Sequence, residues 1–351
     1  MRNIFFKSLI LAMILAPADR LPADEEKVYL GLVIHSTNNE YPNQQAAGAL
    51  RFASSLSAGS ITTQILVSGG DDKKQLAGLR AFLSEHGRNA ILFVDPSSAA
   101  NAQAIATLCE SIGAYWTSAR QRAKGLVPWD FRYYVLHQSV DGVKQGYDIA
   151  VRLFKEFKTP GQGRILALQG LRGSDSARER FEGLKKALAE YGDVELLDTA
   201  FCDFDPKRAF EATEAWLDKF HAFDGIWSAN DEMALAAVEA LKARGLNQKI
   251  KVAGADGITK ALEAIEAGDL VCTATNNGYL EGGYGAAYAY KARKGEINPQ
   301  KLIKRQRAFY TDGFLVDRDN LADYRRNFIQ SPPKYDFNNL KSLIGRPMNL
   351  N

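Results

Sequence analysis

Apolar, strand-like runs alternate with helix-period segments along nearly the whole chain, and this alternation most constrains its fold. Runs at 28–34, 63–67, 90–94, 114–117, 164–169, 194–201, 225–228, 251–254 and 271–275 read as strands. Helical patterns fill 44–56, 73–85, 99–112, 140–157, 176–191, 206–220, 231–244, 258–267 and 279–294. A regular β–α alternation specifies a parallel sheet with helices on both faces. Glycines after Arg244 and Lys294, and Pro160-Gly161 ahead of Arg164, mark helix ends. This many units exceed one comfortable sheet, so the expected class is α/β with two doubly wound parallel-sheet lobes. The first lobe boundary is expected near residues 137–141.

Composition sets broad limits. The chain has 351 residues, of which 46% are hydrophobic and 24% charged, values ordinary for a soluble globular protein. A net charge of +3, spread along the sequence, gives no footprint for nucleic acid. The N-terminus differs: Arg2 and Lys7 precede the small and apolar run SLILAMILA, followed by Ala16-Pro17-Ala18. That order predicts a signal peptide over residues 1–18 and an exported protein. The run is shorter than the ~20 apolar residues a permanent span needs, so the processed protein is expected not to cross the membrane. Cys109, Cys202 and Cys272 are widely spaced; Cys109 and Cys272 read as buried, inert thiols. His35, His86, His137 and His221 show no metal-ligand spacing and read as structural; no metal or cofactor is expected.

The segment from Ile226 to Gly257 carries the clearest functional signal. Two strand-like runs end in Ser228-Ala229-Asn230-Asp231 and Gly254-Ala255-Asp256-Gly257. Ligands of parallel α/β sheets bind at the carboxyl ends of strands, so Asn230 and Asp256 are expected in one crevice. An amide beside a carboxylate suits hydroxyl groups. Four other segments follow strands or turns. In residues 34–42, Asn39 and Tyr41 could face the ligand; equally, Asn38 or Asn39 could cap the next helix. In 169–180, Arg180 lies one helical turn in and could bind hydroxyls, or lie solvated. In 116–129, Trp116, Arg120 and Trp129 occupy a strand end and a long loop. Indole faces pack on sugar rings, but one of the two tryptophans is expected to close a lobe edge instead. Phe204 sits at a strand-to-helix turn, as a ligand face or as core. No nucleophile elbow, kinase set or dinucleotide fingerprint is present, so no enzyme is expected.

Taken in order, ALQGLRGSDSARERFEGL (167–184), SANDEMALAAVEAL (228–241), VAGADG (252–257) and HSTNNEYP (35–42) resemble the periplasmic sugar-binding proteins of ABC transporters, of the ribose-binding type. The resemblance covers roughly residues 28–307. It implies the type I periplasmic binding protein fold, two lobes joined by three crossings near 137–141, 275–277 and 307–312. The implied N-terminal lobe is 27–138 plus 277–308 and the C-terminal lobe 139–276 plus 309–330, with 331–351 as a tail. It implies ligand contacts by Asn39, Tyr41, Arg120, Arg180, Phe204, Asn230, Asp256 and Asn276. Three positions depart from ribose binders. Pro42 replaces an aromatic, Ala119 an aspartate and Asn276 a glutamine, so another pentose, a hexose, a polyol or a cyclitol is expected, with Trp116 or Trp129 supplying the lost aromatic face. The implied function is a monomeric periplasmic receptor that captures a carbohydrate or polyol and delivers it to an inner-membrane ABC permease. The alternative partner is a sensor kinase or chemoreceptor. A related repressor core would carry a helix-turn-helix where this sequence has its signal-like segment.

Overall fold

The computed structural model describes residues 27–37, 40–311, 313–330, 336, 337, 339, 340, 346–348 and 350. The expected signal peptide, Asn39 and Asp312 lie outside them.

The first sheet is built from β1 (Val28–Ile34), β2 (Ile61–Val67), β3 (Ala90–Val94), β4 (Tyr115–Ala119) and β5 (Tyr134–Val140). Helices α1 (Glu40–Ser54), α2 (Asp72–His86) and α3 (Ala99–Ile112) connect its early strands. The backbone then passes through α4 (Gly142–Lys155) into a second sheet. Its strands are β6 (Gly163–Gln169), β7 (Val194–Phe201), β8 (Gly225–Ser228), β9 (Lys251–Asp256) and β10 (Cys272–Thr275). Helices α5 (Asp175–Glu190), α6 (Pro206–Lys219), α7 (Asp231–Ala243) and α8 (Thr259–Ala267) join them. Helix α9 (Gly278–Arg293) returns to the first lobe, β11 (Ala308–Thr311) completes its sheet, and β12 (Leu315–Asp317) completes the second.

The strand orders are β11-β5-β4-β3-β1-β2 and β12-β10-β9-β8-β6-β7. Both sheets reverse direction after their first strand, so each has a switch point, beside β1 and β3 in one and β6 and β8 in the other. All pairings are parallel except β12 on β10, which is antiparallel. Two features refine the expected boundaries. β5 continues to Val140, because Ser139 and Val140 still pair with Tyr310 and Thr311. β11 belongs to the first sheet, so the first lobe continues to Thr311 where 308 was expected, and the third crossing runs from Thr311 to Leu315 where 307–312 was expected.

Glycines set the close helix pairs that frame the cleft. A Cβ on Gly48 of α1 would lie 1.8 Å from the Tyr279 carbonyl oxygen of α9. A Cβ on Gly146 of α4 would lie 1.8 Å from the Arg180 carbonyl oxygen of α5. Only glycine permits these backbone approaches. Each lobe then closes a core of its own, around Leu30, Phe52 and Phe93 in the first and Leu166, Ile226 and Trp227 in the second. The described tail residues dock on the first lobe: Phe337 and Leu340 join its core, and Tyr310 N–H donates to the Arg346 carbonyl at 2.8 Å. The three cysteines are free and buried, and burial raises the Cys109 and Cys272 thiols. No described helix is long and apolar enough to cross a membrane.

Candidate ligand-binding cleft

A cleft of about 500 Å³ opens between the lobes at the carboxyl ends of both sheets. Tyr41, Arg120, Arg180, Phe204, Asn230 and Asp256 all line it, so six expected residues converge from six separate segments. Asn276 stands directly behind, donating to Asp256 Oδ1 at 2.8 Å.

The first lobe contributes Arg120, the residue after β4. Its φ of +61° lies in the left-handed region, which costs a non-glycine residue energy and is held only where the surroundings enforce it. The enforcing contact is Asp95, just after β3 and wholly buried, which accepts from Arg120 Nε at 3.1 Å and from its Nη2. The guanidinium carbon lies 5.4 Å from the centroid of the Tyr41 ring. The Tyr41 hydroxyl in turn donates to buried Glu281.

The second lobe contributes Arg180, held rigidly by α5 and almost fully buried. It donates to Gln145 Oε1 at 3.2 Å, to the Ala229 carbonyl at 2.6 Å and to Asp256 Oδ1 at 2.7 Å. Asp256, with φ of +127°, closes β9 and receives Asn276 as well. Asp231 fixes the neighbouring loop by accepting from Gly257 N–H at 2.7 Å, Ile258 N–H at 3.1 Å and Thr273 Oγ1 at 2.9 Å. Phe204, at φ of +61°, lays its ring over Gly170, where a Cβ would meet the ring at 2.2 Å. Four of the five described non-glycine residues with positive φ, namely Arg120, Asp203, Phe204 and Asp256, therefore line or flank this one cleft.

Several expectations are revised. Asn230 faces the cleft, yet its oxygen caps α7 by accepting from Met233 N–H at 3.1 Å and its NH2 donates to Glu232 at 2.7 Å. Burial and Asp256 push that Glu232 carboxyl up to about 7. Trp116 does not reach the cleft. It lies wholly buried in β4, stacked on Tyr134 with centroids 3.9 Å apart, because a strand covered on both faces has no ligand side along its middle. Trp129 does not reach it either. It packs with Val127, Ala308 and Leu350 beneath the tail, and Lys304 lies 4.7 Å from its ring centroid. Phe204 and Tyr41 therefore bring benzene rings to the cleft, and neither tryptophan takes the place of the aromatic absent at Pro42.

Sequence reasoning overlooked Asp95 and misread His35. His35 follows β1 and lines the cleft. Burial and Arg120 lower its imidazole pKa, so the ring is neutral near pH 7, with one donor and one acceptor. The other histidines are structural as expected where contacts exist: His137 meets Ser118 Oγ at 2.8 Å, and His86 stacks on Tyr29. Strand-end position was the available signal for His35 and Asp95 alike.

The lobes touch on both flanks. Gln121 Nε2 donates to Ser174 Oγ at 2.9 Å, and Asp175 N–H donates to Gln121 Oε1 at 2.7 Å. On the other flank Glu40 accepts from Thr259 N–H at 3.0 Å and from its hydroxyl at 3.1 Å. This is a closed arrangement.

A family profile described as a periplasmic binding protein domain matches residues 30–297. The xylitol-binding protein of Mycolicibacterium smegmatis is 30% identical over 183 residues, a match spanning 52% of each protein. The match thus spans about half the length of that relative. The ribose import binding protein of Haemophilus influenzae is 29% identical over 68% of this chain and 77% of its own. Among solved structures, a twin-arginine translocation pathway signal protein from Burkholderia phytofirmans is 34% identical. It superposes with a TM-score of 0.86 and covers 92% of this chain and 99% of that one.

Proposed function

This chain belongs to the periplasmic binding protein family, and from that premise we propose that it captures a neutral sugar, polyol or cyclitol outside the inner membrane and delivers it to an ABC permease. The observation that carries this reading is the internal neutralisation of the cleft. Each arginine is already matched by a carboxylate, Arg120 by Asp95 and Arg180 by Asp256. The site therefore offers directed hydrogen bonds without a large net charge, which suits hydroxyl groups. Arg120 Nη1, Asp256 Oδ2 and the His35 ring nitrogens form no hydrogen bond with a described residue's side group and are free for a ligand. Phe204 supplies an apolar face for the C–H groups of a sugar ring or an open polyol.

Recognition by buried polar groups gives specificity, because an analogue lacking one hydroxyl leaves a protein donor or acceptor unpaired. Closure completes the site, since half of it comes from each lobe. A ligand that contacts both halves favours the closed state by its differential affinity for it. The ribose-binding and xylitol-binding relatives support a polyhydroxyl ligand of this size.

A thermal-shift screen with D-ribose, D-allose, xylitol and myo-inositol tests the proposal. Ligand at a hundredfold excess over Kd stabilises by about 2.7 kcal/mol. A shift with one of them, lost in Asp256→Asn, is the expected result. Stabilisation by charged compounds alone would overturn it.

A further inference from the structure

We propose that Glu281 is the positioning residue that couples the hinge to the ligand cleft in the first lobe. The inference rests on the reading of the cleft as a site on which the lobes close.

Glu281 is wholly buried on the first turn of α9, just after the second crossing between Thr275 and Gly278. Its backbone carbonyl accepts from Gln138 Nε2 at 2.6 Å, and Gln138 lies on β5, two residues before the first crossing begins. Its Oε1 accepts from Thr311 Oγ1 at 3.3 Å, and Thr311 is where the third crossing starts. One residue thus bonds to two crossings and stands beside the other. Its Oε2 accepts from Tyr41 Oη and from Gln45 Nε2 at 3.3 Å. Tyr41 carries Arg120 over its ring, and Arg120 faces the ligand space. A continuous set of contacts therefore runs from the crossings through Glu281 and Tyr41 to Arg120.

The second lobe has a parallel set made of amides. Gln145 donates to the Thr275 carbonyl at 3.1 Å and to Asn276, and accepts from Arg180. Asp256 also bridges Asn276 and Arg180 there, but the amide path through Gln145 holds no titratable group. The first-lobe set does. Burial pushes the Glu281 carboxyl up to about 7, opposed by the Tyr41 and Gln45 hydrogen bonds and by Arg120, and assisted by Asp95. Tyr41, Arg120 and Asp95 are the titratable or charged groups that face it. The ionised form competes with the Ser139 carbonyl, 3.3 Å away, for the single Thr311 hydroxyl proton; a proton on Oε1 turns the Thr311 contact around, so that Glu281 donates to Thr311 and Thr311 donates to Ser139, and both contacts at that strand end are made.

The test uses the full-length protein with spin labels at Lys73→Cys and Lys207→Cys, exposed on α2 and α6, to read the distance between lobes without added ligand. The closed fraction is expected to rise as pH is lowered from about 8.5 to about 5.5, because the described, closed arrangement is the one that raises the Glu281 carboxyl. Glu281→Gln should remove that pH profile and change the closed-to-open ratio about fivefold or more. Tyr41→Phe removes a hydrogen bond that lowers the Glu281 pKa, so it should move the profile to higher pH, and the double variant should be as flat as Glu281→Gln. Wild-type profiles in both single variants would overturn the proposal. Should Glu281→Gln fail to fold, Tyr41→Phe decides alone. A changed profile in a protein that binds none of the polyols would sink the ligand reading and leave the coupling standing; binding with unchanged profiles would do the reverse.

Discussion

The two lobes present one arginine each to the cleft, and they hold it by different means. Arg180 sits on a helix, nearly buried, with three acceptors of three kinds around it. Arg120 sits at a strained strand end, with one buried carboxylate on its edge and an aromatic ring beneath it. The second lobe's arrangement is rigid and built mainly from neutral groups. The first lobe's arrangement rests on Asp95 beneath Arg120 and on Glu281, whose buried carboxyl is pushed up to about 7. Both arginines are compensated by a carboxylate, but the first lobe reaches the crossings through the buried Glu281 carboxyl, whereas the second reaches them through Gln145 and through Asp256 and Asn276.

Substitution at Arg180 should break this comparison most severely. Arg180→Ala leaves Asp256 in the cleft without its cation, and denaturant unfolding should show a loss of about 3–5 kcal/mol. Arg180→Lys should rescue little, because an ammonium cannot meet three acceptors in a planar fan. A loss well under about 1 kcal/mol would mean the cluster is solvated rather than structural.

The pH dependence of stability comes next. The folded-state pKa of Glu281 is raised above its ordinary value of 4.5 to about 7. Its contribution is therefore fully present below pH 4.5 and lost as pH rises through about 7. The difference between wild type and Glu281→Gln, followed by denaturation across that window, should change by about 3 kcal/mol. A flat difference would remove the asymmetry between the lobes.

Gln145→Ala sharpens the comparison from the other side. It should cost about 1–2 kcal/mol, for the hydrogen bonds it gives and receives, and that cost should not vary with pH over the same window. The smallest effect belongs to the outer flank. Thr259→Val removes an exposed hydroxyl contact to Glu40 and should change stability by no more than about 0.5 kcal/mol, while measurably lowering the closed fraction.

Much of this architecture was legible in the sequence because parallel sheets leave a local trace. Short apolar runs with helical patterns between them located nine of the ten strands from Val28 to Thr275 to within a few residues; β5 (Tyr134–Val140) was missed, its apolar start being broken by His137-Gln138-Ser139. The rule that ligands bind at strand ends put Asn230 and Asp256 in one crevice, and both line the same cleft. What was not legible depended on long-range pairing. Glu281 finds Tyr41 across 240 residues, and nothing near either position announces it. Asp95 looked like an ordinary strand end until Arg120 was beside it. Trp129 read as a ligand aromatic because its partner, Leu350, lies in the tail. Trp116 misled for a different reason: in a strand buried on both faces an aromatic ring is simply core. Short β11 and β12 carry too few residues for periodicity to register.

The measurement that bears most directly on the central claim is a crystal structure of the protein with whichever sugar, polyol or cyclitol stabilises it. The account predicts the ligand between Phe204 and Arg120, with hydroxyls in hydrogen-bond reach of Asp256 and His35. A ligand seated elsewhere would contradict it, for instance in the 460 Å³ cavity between Arg122 and Glu179 on the far side of Gln121.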